Sequence, residues 1–304
     1  MSLTPVLTRP KEPLQLVERE LPRPGPGEVT VRIEACALGL NDWHVAMLDA
    51  LPHVPLVLGC EAVGRVESTG RRVGISPLST SCGACEQCRA GLAHRCAAAT
   101  WHGFSRDGAL CARGNFAEQH LISLPEEGDA AELAVLMGSG QAALAAVEAA
   151  GPAEHIGIFG LGGVGHLALQ LAGPNTRGFD PDPRRLALAA AQTTQRPLDA
   201  AVVCVPSPQA IQRAFGLLKP GGRLVLAAAN PTGRLDLSLH ALTARGVHII
   251  GTHLGGRRAI DVVLERYFAK KLKPVVTTKP LHEAPAQLYA LRDGGFVGRL
   301  VFVP

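Results

Sequence analysis

The chain lacks any long run of one charge sign: its 30 basic and 26 acidic residues are interspersed. Nothing therefore points to a nucleic-acid or membrane-surface partner. It also lacks an apolar stretch approaching the ~20 residues that span a bilayer, so no membrane segment is expected. The opening residues Met1-Ser2-Leu3-Thr4-Pro5 do not have the charged-then-apolar layout of a signal peptide, and a cytoplasmic protein is the expectation. Repeats and low-complexity segments are missing, and aromatics are scarce at 4%. Cysteine is not scarce, with eight in the chain, but the spacing argues against a secreted disulfide scaffold. Four of the eight fall between Cys82 and Cys96, and the others, Cys36, Cys60, Cys111 and Cys204, are scattered. Clustered cysteines in an enzyme-sized intracellular chain point to metal. At 304 residues the chain suits two domains.

One stretch organises the rest. Ile156, Ile158 and Phe159 form a short apolar run suited to a buried parallel strand. Gly160-Leu161-Gly162-Gly163-Val164-Gly165 follows in G-x-G-x-x-G spacing, and a helix-prone segment continues through Leu167 and Leu171. Strand, glycine turn and helix in that order form the context of a dinucleotide site. The first glycine permits the turn, the second admits a pyrophosphate, and the third lets helix pack on strand, with the helix N-terminus facing the phosphates. Asp180 stands 20 residues after Gly160, where a carboxylate accepts from ribose hydroxyls. An acid there repels a 2′-phosphate, so NAD is expected over NADP. Arg184 and Arg185 follow closely and temper that preference, and Arg185 joins the expected cofactor contacts.

Before this turn the chain reads as β-rich. Val6-Leu7 pairs with Leu14–Val17, and further strands are expected at Val29–Ile33, Ala62–Glu67, Arg72–Ile75 and Phe116–Ile122. A helix from about Ala130 to Ala150, interrupted at Gly138-Ser139-Gly140, opens an Ala/Leu-rich part. Strands at Leu198–Val205, Gly222–Ala227 and Val247–Gly251 then alternate with helices at 208–218 and 258–270, and the chain ends on the strand Gly298–Val303. Within the β-rich part, Cys82-x2-Cys85-x2-Cys88-x7-Cys96 is the strongest short signal. Four thiolates at this spacing close a tetrahedral shell around a structural zinc, one per chain, and leave no open position.

The chain resembles the medium-chain, zinc-containing alcohol dehydrogenase superfamily. The resemblance rests on Pro24-Gly25-Pro26-Gly27-Glu28, Gly59-x-Glu61, the four-cysteine lobe (about 80–97), the Gly160–Gly165 turn and the Gly298-Arg299 ending. It implies an α/β chain with a GroES-like β-rich catalytic domain at 1–125 and 272–304 and a Rossmann-type parallel-sheet domain at 126–271. It also implies a small-molecule substrate, a homo-oligomer (dimer or tetramer), and Arg299 against the cofactor's phosphates near the nicotinamide.

The departures from the family are informative. Its catalytic zinc takes a Cys, a His and a later Cys or carboxylate. The Cys position is Gly39 in Gly39-Leu40-Asn41-Asp42-Trp43-His44, the His position is Cys60, and the third falls near Ser139. A Lewis-acid zinc needs three protein ligands and a water, so catalysis without that metal is expected, with His44 or Cys36 as the only improvised ligands. Gly39-Leu40-Asn41 also resembles the zinc-free quinone-reductase branch. Only nine residues, 189–197, separate the helix after Asp180 from the next core strand, so the third strand of the sheet is expected to be missing.

The candidate catalytic set is His44, Asn41, Asp42, Cys60 and Glu61. His44 relays a proton through Asn41 and the nicotinamide ribose, or is simply hydrogen-bonded. Asp42 braces its loop or acts as an acid. Cys60 is a small apolar filler, a pocket thiol or a nucleophile. Glu61, without metal behind it, pairs with an arginine. Trp43, Trp101 and His102 line a substrate cleft or pack in the core. The reading is an NAD(P)(H)-dependent oxidoreductase that moves hydride to or from a small carbonyl, alcohol or activated double bond without a catalytic zinc. The alternatives are a non-catalytic nucleotide-binding or redox-sensing protein, and a zinc alcohol dehydrogenase with rearranged ligands.

Overall fold

The alternating stretch at Val29–Ile33 lies inside an 11-residue strand, Glu28–Leu38, around which the first unit is built. A computed structural model describes residues 2–189, 196–228 and 233–304. The chain divides into one unit of Met1–Gly138, Gly256–Leu264 and Pro274–Pro304 and another of Ser139–Gly255 and Glu265–Lys273.

In the first unit the long strand serves three neighbours of a seven-stranded sheet. Its N-terminal half pairs with Arg113–Ala117, its C-terminal end pairs antiparallel with Arg299–Val303, and Glu61–Val66 runs along its other side. Phe116 and Phe302 bury their rings almost completely in the core below, each contributing roughly 1.5–3 kcal/mol. The sequence expects one strand from Phe116 to Ile122, but the structure breaks it. Arg113–Ala117 is followed by a 3-10 turn at Glu118–His120 and a short strand at Ile122–Ser123. The turn is needed because the first piece pairs with the long strand while Ile122 and Ser123 pair with Gly74 and Val73.

The second unit holds a five-stranded parallel sheet in the order Thr176–Phe179, Ile156–Phe159, Leu198–Val203, Leu218–Leu226, His248–Gly251. Chain order and spatial order reverse between the first two strands and the rest, which makes the end of Ile156–Phe159 the switch point where such sheets bind ligands. Phe159 and Phe179 face each other in register and stack with centroids 4.3 Å apart. Among the described residues no strand lies outside Thr176–Phe179, so the sheet is one strand shorter than a full Rossmann domain there. Residues 190–195 of the short connection lie outside the described residues.

The helical run at 130–149 needs one correction. It is long and apolar enough, by length and composition, to cross a membrane, contrary to the expectation that no such stretch exists. Most of its length is buried within the fold, as in a core helix. Asp129 caps it by accepting from the N–H groups of Ala131 and Glu132. The expected interruption is present as a π turn at Leu136–Gly140 before the helix Gln141–Ala149.

His102, read as lining a cleft or packing in the core, packs in the core and also borders a cleft with Arg19 and Asp107. It is buried, its ring lies 5.2 Å from that of Phe116, and its Nδ1 is 3.2 Å from the Asp107 carbonyl. Burial pushes its pKa down to about 4. A depressed histidine favours folding fully above pH 6.5, and that contribution is lost as pH falls through about 4. We expect unfolding free energy to drop by up to ~3 kcal/mol across that window. Chemical denaturation at several pH values, comparing the wild type with His102→Gln, checks this, and the variant should show a shallower slope.

Candidate functional site

The glycine turn has the shape a dinucleotide requires. Gly160 adopts φ +85°, and a Cβ on Gly165 would overlap the Gly160 carbonyl oxygen, so neither tolerates a side chain. A Cβ on Gly162 would meet nothing within 4 Å, which leaves room above it for a pyrophosphate. Gly163 and Val164 lead into the helix Gly165–Leu171, whose first bonds include His166 N–H to the Gly162 carbonyl at 3.1 Å. Asp180 accepts from the Leu161 N–H at 2.7 Å and from the Asp182 N–H at 2.9 Å, tying the end of Thr176–Phe179 to the turn. Arg184 donates to Asp182 at 2.7 Å, and Arg185 lies 3.9 Å from the same carboxylate. The residues fit NAD(P).

The four sulfurs of the lobe also converge. The Sγ atoms of Cys82, Cys85, Cys88 and Cys96 lie within 4.8 Å of one another, with Cys82 to Cys96 at 3.5 Å and Cys82 to Cys88 at 3.9 Å. Tetrahedral zinc with its usual Zn–S length places sulfurs about 3.8 Å apart, so the set fits. N–H groups of Ala84 and Cys85, together with neighbouring thiols, pull the Cys82 pKa down to about 6. A thiolate is therefore present at neutral pH. Among the described residues no other group of three or more His, Cys, Asp or Glu side chains has metal-ligand spacing.

The pocket of the first unit is assembled by strand register. Leu300 opposes Leu38, which brings Arg299 beside Gly39, and Ala37 opposes Glu61. A Cβ on Gly39 would overlap the Arg299 guanidinium, so the arginine fills the room that the missing side chain leaves. Its Nη2 donates to Glu61 Oε1, and the Glu61 side chain is only 1% exposed. This is the arginine anticipated beside Glu61. Burial works against the charge on Arg299, but Glu61, Asp42 and Cys60 more than offset it and raise its pKa.

Asp42 braces the loops. It accepts from the N–H of Gly39 at 2.8 Å and of Gly59 at 3.0 Å. Burial raises its pKa, while the Gly39 N–H, Arg299 and the Gly59 N–H pull it back. Gly59 holds φ +88°, and a Cβ there would meet Cys36 Sγ at 2.6 Å. Burial, with Asp42 and then Glu61 adding to it, pushes the Cys60 thiol well up, and Cys36 is pushed up the same way. Both are therefore neutral thiols at pH 7. Asn41 is exposed and His44 half-buried, with its pKa lowered by burial and its Nδ1 without a hydrogen bond. Trp43 packs on the first unit's core, and Trp101 pairs with Leu78 in a small two-stranded sheet. Ser139 belongs to the second unit.

Gly39 offers no ligand side chain, and the space beside it is taken by the Arg299 guanidinium. The sequence pointed to an arginine beside Glu61 but not to which one, nor to its place in the space beside Gly39. The signal was present in the pairing of a vacant cysteine position with an arginine that opens the last strand. A cleft of about 1000 Å³ elsewhere in the unit, lined by Arg19, His53, His102, Asp107 and Asn115 among others, includes none of the pocket residues.

A glycine-turn parallel sheet joined in sequence to a β-rich unit with a four-cysteine lobe defines a nucleotide-dependent oxidoreductase. Residues 25–126 match the alcohol dehydrogenase GroES-like domain and residues 140–269 the zinc-binding dehydrogenase family. An alcohol dehydrogenase of Geobacillus stearothermophilus is 30% identical over an alignment covering 96% of both chains. One from Moraxella sp. (strain TAE123) is 28% identical over 95% of both. The cobalt- and zinc-bound thermostable alcohol dehydrogenase of Pyrobaculum aerophilum superposes with a TM-score of 0.90 at 25% identity, covering 99% of each chain. The chain belongs to the zinc-type medium-chain dehydrogenase/reductase superfamily of alcohol dehydrogenase-like, NAD(P)-dependent oxidoreductases.

Removing one partner of a buried pair strands the other charge, at a cost of about 3–5 kcal/mol. Arg299→Met should lower stability by that amount, and adding Glu61→Gln should recover most of it. A double-mutant cycle by urea denaturation measures the coupling.

Proposed function

We propose that the enzyme moves hydride between NAD(P)(H) and a small organic carbonyl, alcohol or activated double bond without a catalytic zinc. The observation that carries this reading is the Arg299 guanidinium lodged where the family's first zinc-binding side chain would project from Gly39. Bound NAD(P)(H) supplies or takes up the hydride; the pyrophosphate would lie on Gly160, Gly162, Gly163, Val164 and Gly165. Asp180 at the ribose position and the engagement of Arg184 and Arg185 by Asp182 favour NAD over NADP.

In the first unit, Asp42 fixes the loops that carry Gly39 and Gly59, and Glu61 holds Arg299. His44 is neutral at pH 7 because burial lowers its pKa, so it takes up a proton and passes it on, with Asn41 as the polar neighbour. Cys60, kept as a thiol, shapes the pocket wall. The four-cysteine lobe holds one structural zinc per chain. All eight cysteines are unpaired, in keeping with a reducing cytoplasm, and the assembly is the dimer or tetramer that the family resemblance implies.

The test is zinc content per chain with NADH titration of the wild type and Gly162→Val. One zinc per chain is expected, lost in Cys82→Ser, and two zincs would contradict the reading. The room beside Gly162 lets the variant fold, so NADH affinity should fall at least tenfold with little change in Tm. Unchanged affinity would contradict the cofactor assignment.

A further inference from the structure

The cleft of about 1000 Å³ in the first unit is large enough for a small organic ligand, and its wall carries two buried polar side chains that the chain leaves open. His102 is 7% exposed and Ser79 4% exposed, and both line the cleft. His102 Nδ1 lies 3.2 Å from the Asp107 carbonyl, its one hydrogen-bond partner among the described residues. A carbonyl only accepts, so Nδ1 carries the ring proton. Burial, with the nearby His120 and Arg106 adding to it, keeps the imidazole neutral at pH 7. Nε2 therefore presents a bare lone pair with nothing in the chain to fill it. The Ser79 hydroxyl likewise has no hydrogen-bond partner among the described residues.

Cations stand at the mouth of the same cleft. A tight turn places one beside His102. The Arg106 N–H bonds the Trp101 carbonyl at 3.1 Å, the Gly103 N–H bonds the Arg106 carbonyl at 2.9 Å, and His102 and Arg106 form a β-bridge. Arg19 is held by Asp107 at 2.6 Å and Arg113 by Glu67 at 2.5 Å. The guanidinium groups of Arg106 and Arg23 are exposed and engage no acid among the described residues. Glu28 is occupied by the Gly25 N–H at 3.0 Å. That leaves Glu20 as the unengaged acid of the cleft, set against two unengaged arginines.

We propose that this cleft is a second ligand site, separate from the hydride-transfer pocket, and that it takes a small sugar phosphate. A lone pair on His102 calls for a donor and repels an anionic oxygen, so the hydroxyl end of the ligand enters first. A sugar hydroxyl donates to His102 Nε2, and the Ser79 hydroxyl meets a neighbouring one. The phosphate then stays at the mouth with Arg106 and Arg23. Guanidinium forks suit phosphate oxygens, and two open forks exceed what the two oxygens of one carboxylate occupy. The assignment does not depend on whether the other pocket holds zinc, because the cleft includes none of the residues around Arg299.

Calorimetric titration of the full chain with ribose 5-phosphate, ribose and inorganic phosphate, with and without saturating NADH, tests this. The wild type should bind ribose 5-phosphate at least tenfold more tightly than ribose or phosphate alone, and equally well with NADH present. Arg106→Gln should bring ribose 5-phosphate down to the affinity of ribose. Ser79→Ala should weaken ribose and ribose 5-phosphate alike. Neither variant breaks a side-chain bond of the fold, so Tm should hold in both. Absence of ribose 5-phosphate binding would overturn the assignment, as would undiminished binding in Arg106→Gln. Inorganic phosphate binding as tightly as the sugar phosphate would reduce the cleft to an adventitious ion only. Loss of ribose 5-phosphate binding on addition of NADH would move the ligand to the glycine turn and overturn the site.

Discussion

The pairing of Arg299 with Glu61 in the space beside Gly39 is the constraint on which the pocket depends. Glu61 is buried at the start of a central strand, where an isolated carboxylate is strongly disfavoured. Its counter-charge is Arg299, carried in by the last strand. Geometry and charge act together: a side chain at position 39 would overlap the guanidinium, so the glycine leaves the volume that the arginine fills beside Glu61. The same register that pairs Leu300 with Leu38 and Ala37 with Glu61 makes the contact unavoidable once the sheet forms.

The two other functional features follow simpler rules and were readable in the sequence. A glycine turn between a buried strand and a helix has one dominant use, and Gly160, Gly162 and Gly165 are arranged for it. Four cysteines within a short lobe converge because little else could order that loop. The shortened sheet was legible for a related reason: the residues between the helix after Asp180 and Leu198 are too few for another strand and helix.

Legibility failed where long-range packing decides the outcome. For His102 the sequence left cleft and core open, and the choice depends on Phe116, against which its ring packs and whose position depends on strand pairing far along the chain. Phe116–Ile122 reads as one strand, yet its two ends pair with different strands and a turn must intervene at the polar residues Glu118–His120. The run Ala130–Ala149 passes for a membrane span by length and composition because burial in a protein core selects the same apolar side chains as burial in a bilayer. The contact of Arg299 with Glu61 spans 238 positions of sequence and required the sheet register to be known.

The account turns on what occupies the pocket. Crystals of the zinc-replete, NADH-bound protein, measured by anomalous diffraction at the zinc edge, test it most directly. The prediction is one peak within the four sulfurs of Cys82, Cys85, Cys88 and Cys96, with the Arg299 guanidinium against Glu61. A second peak coordinated by Cys60 and Glu61, with Arg299 displaced from beside Gly39, would contradict it.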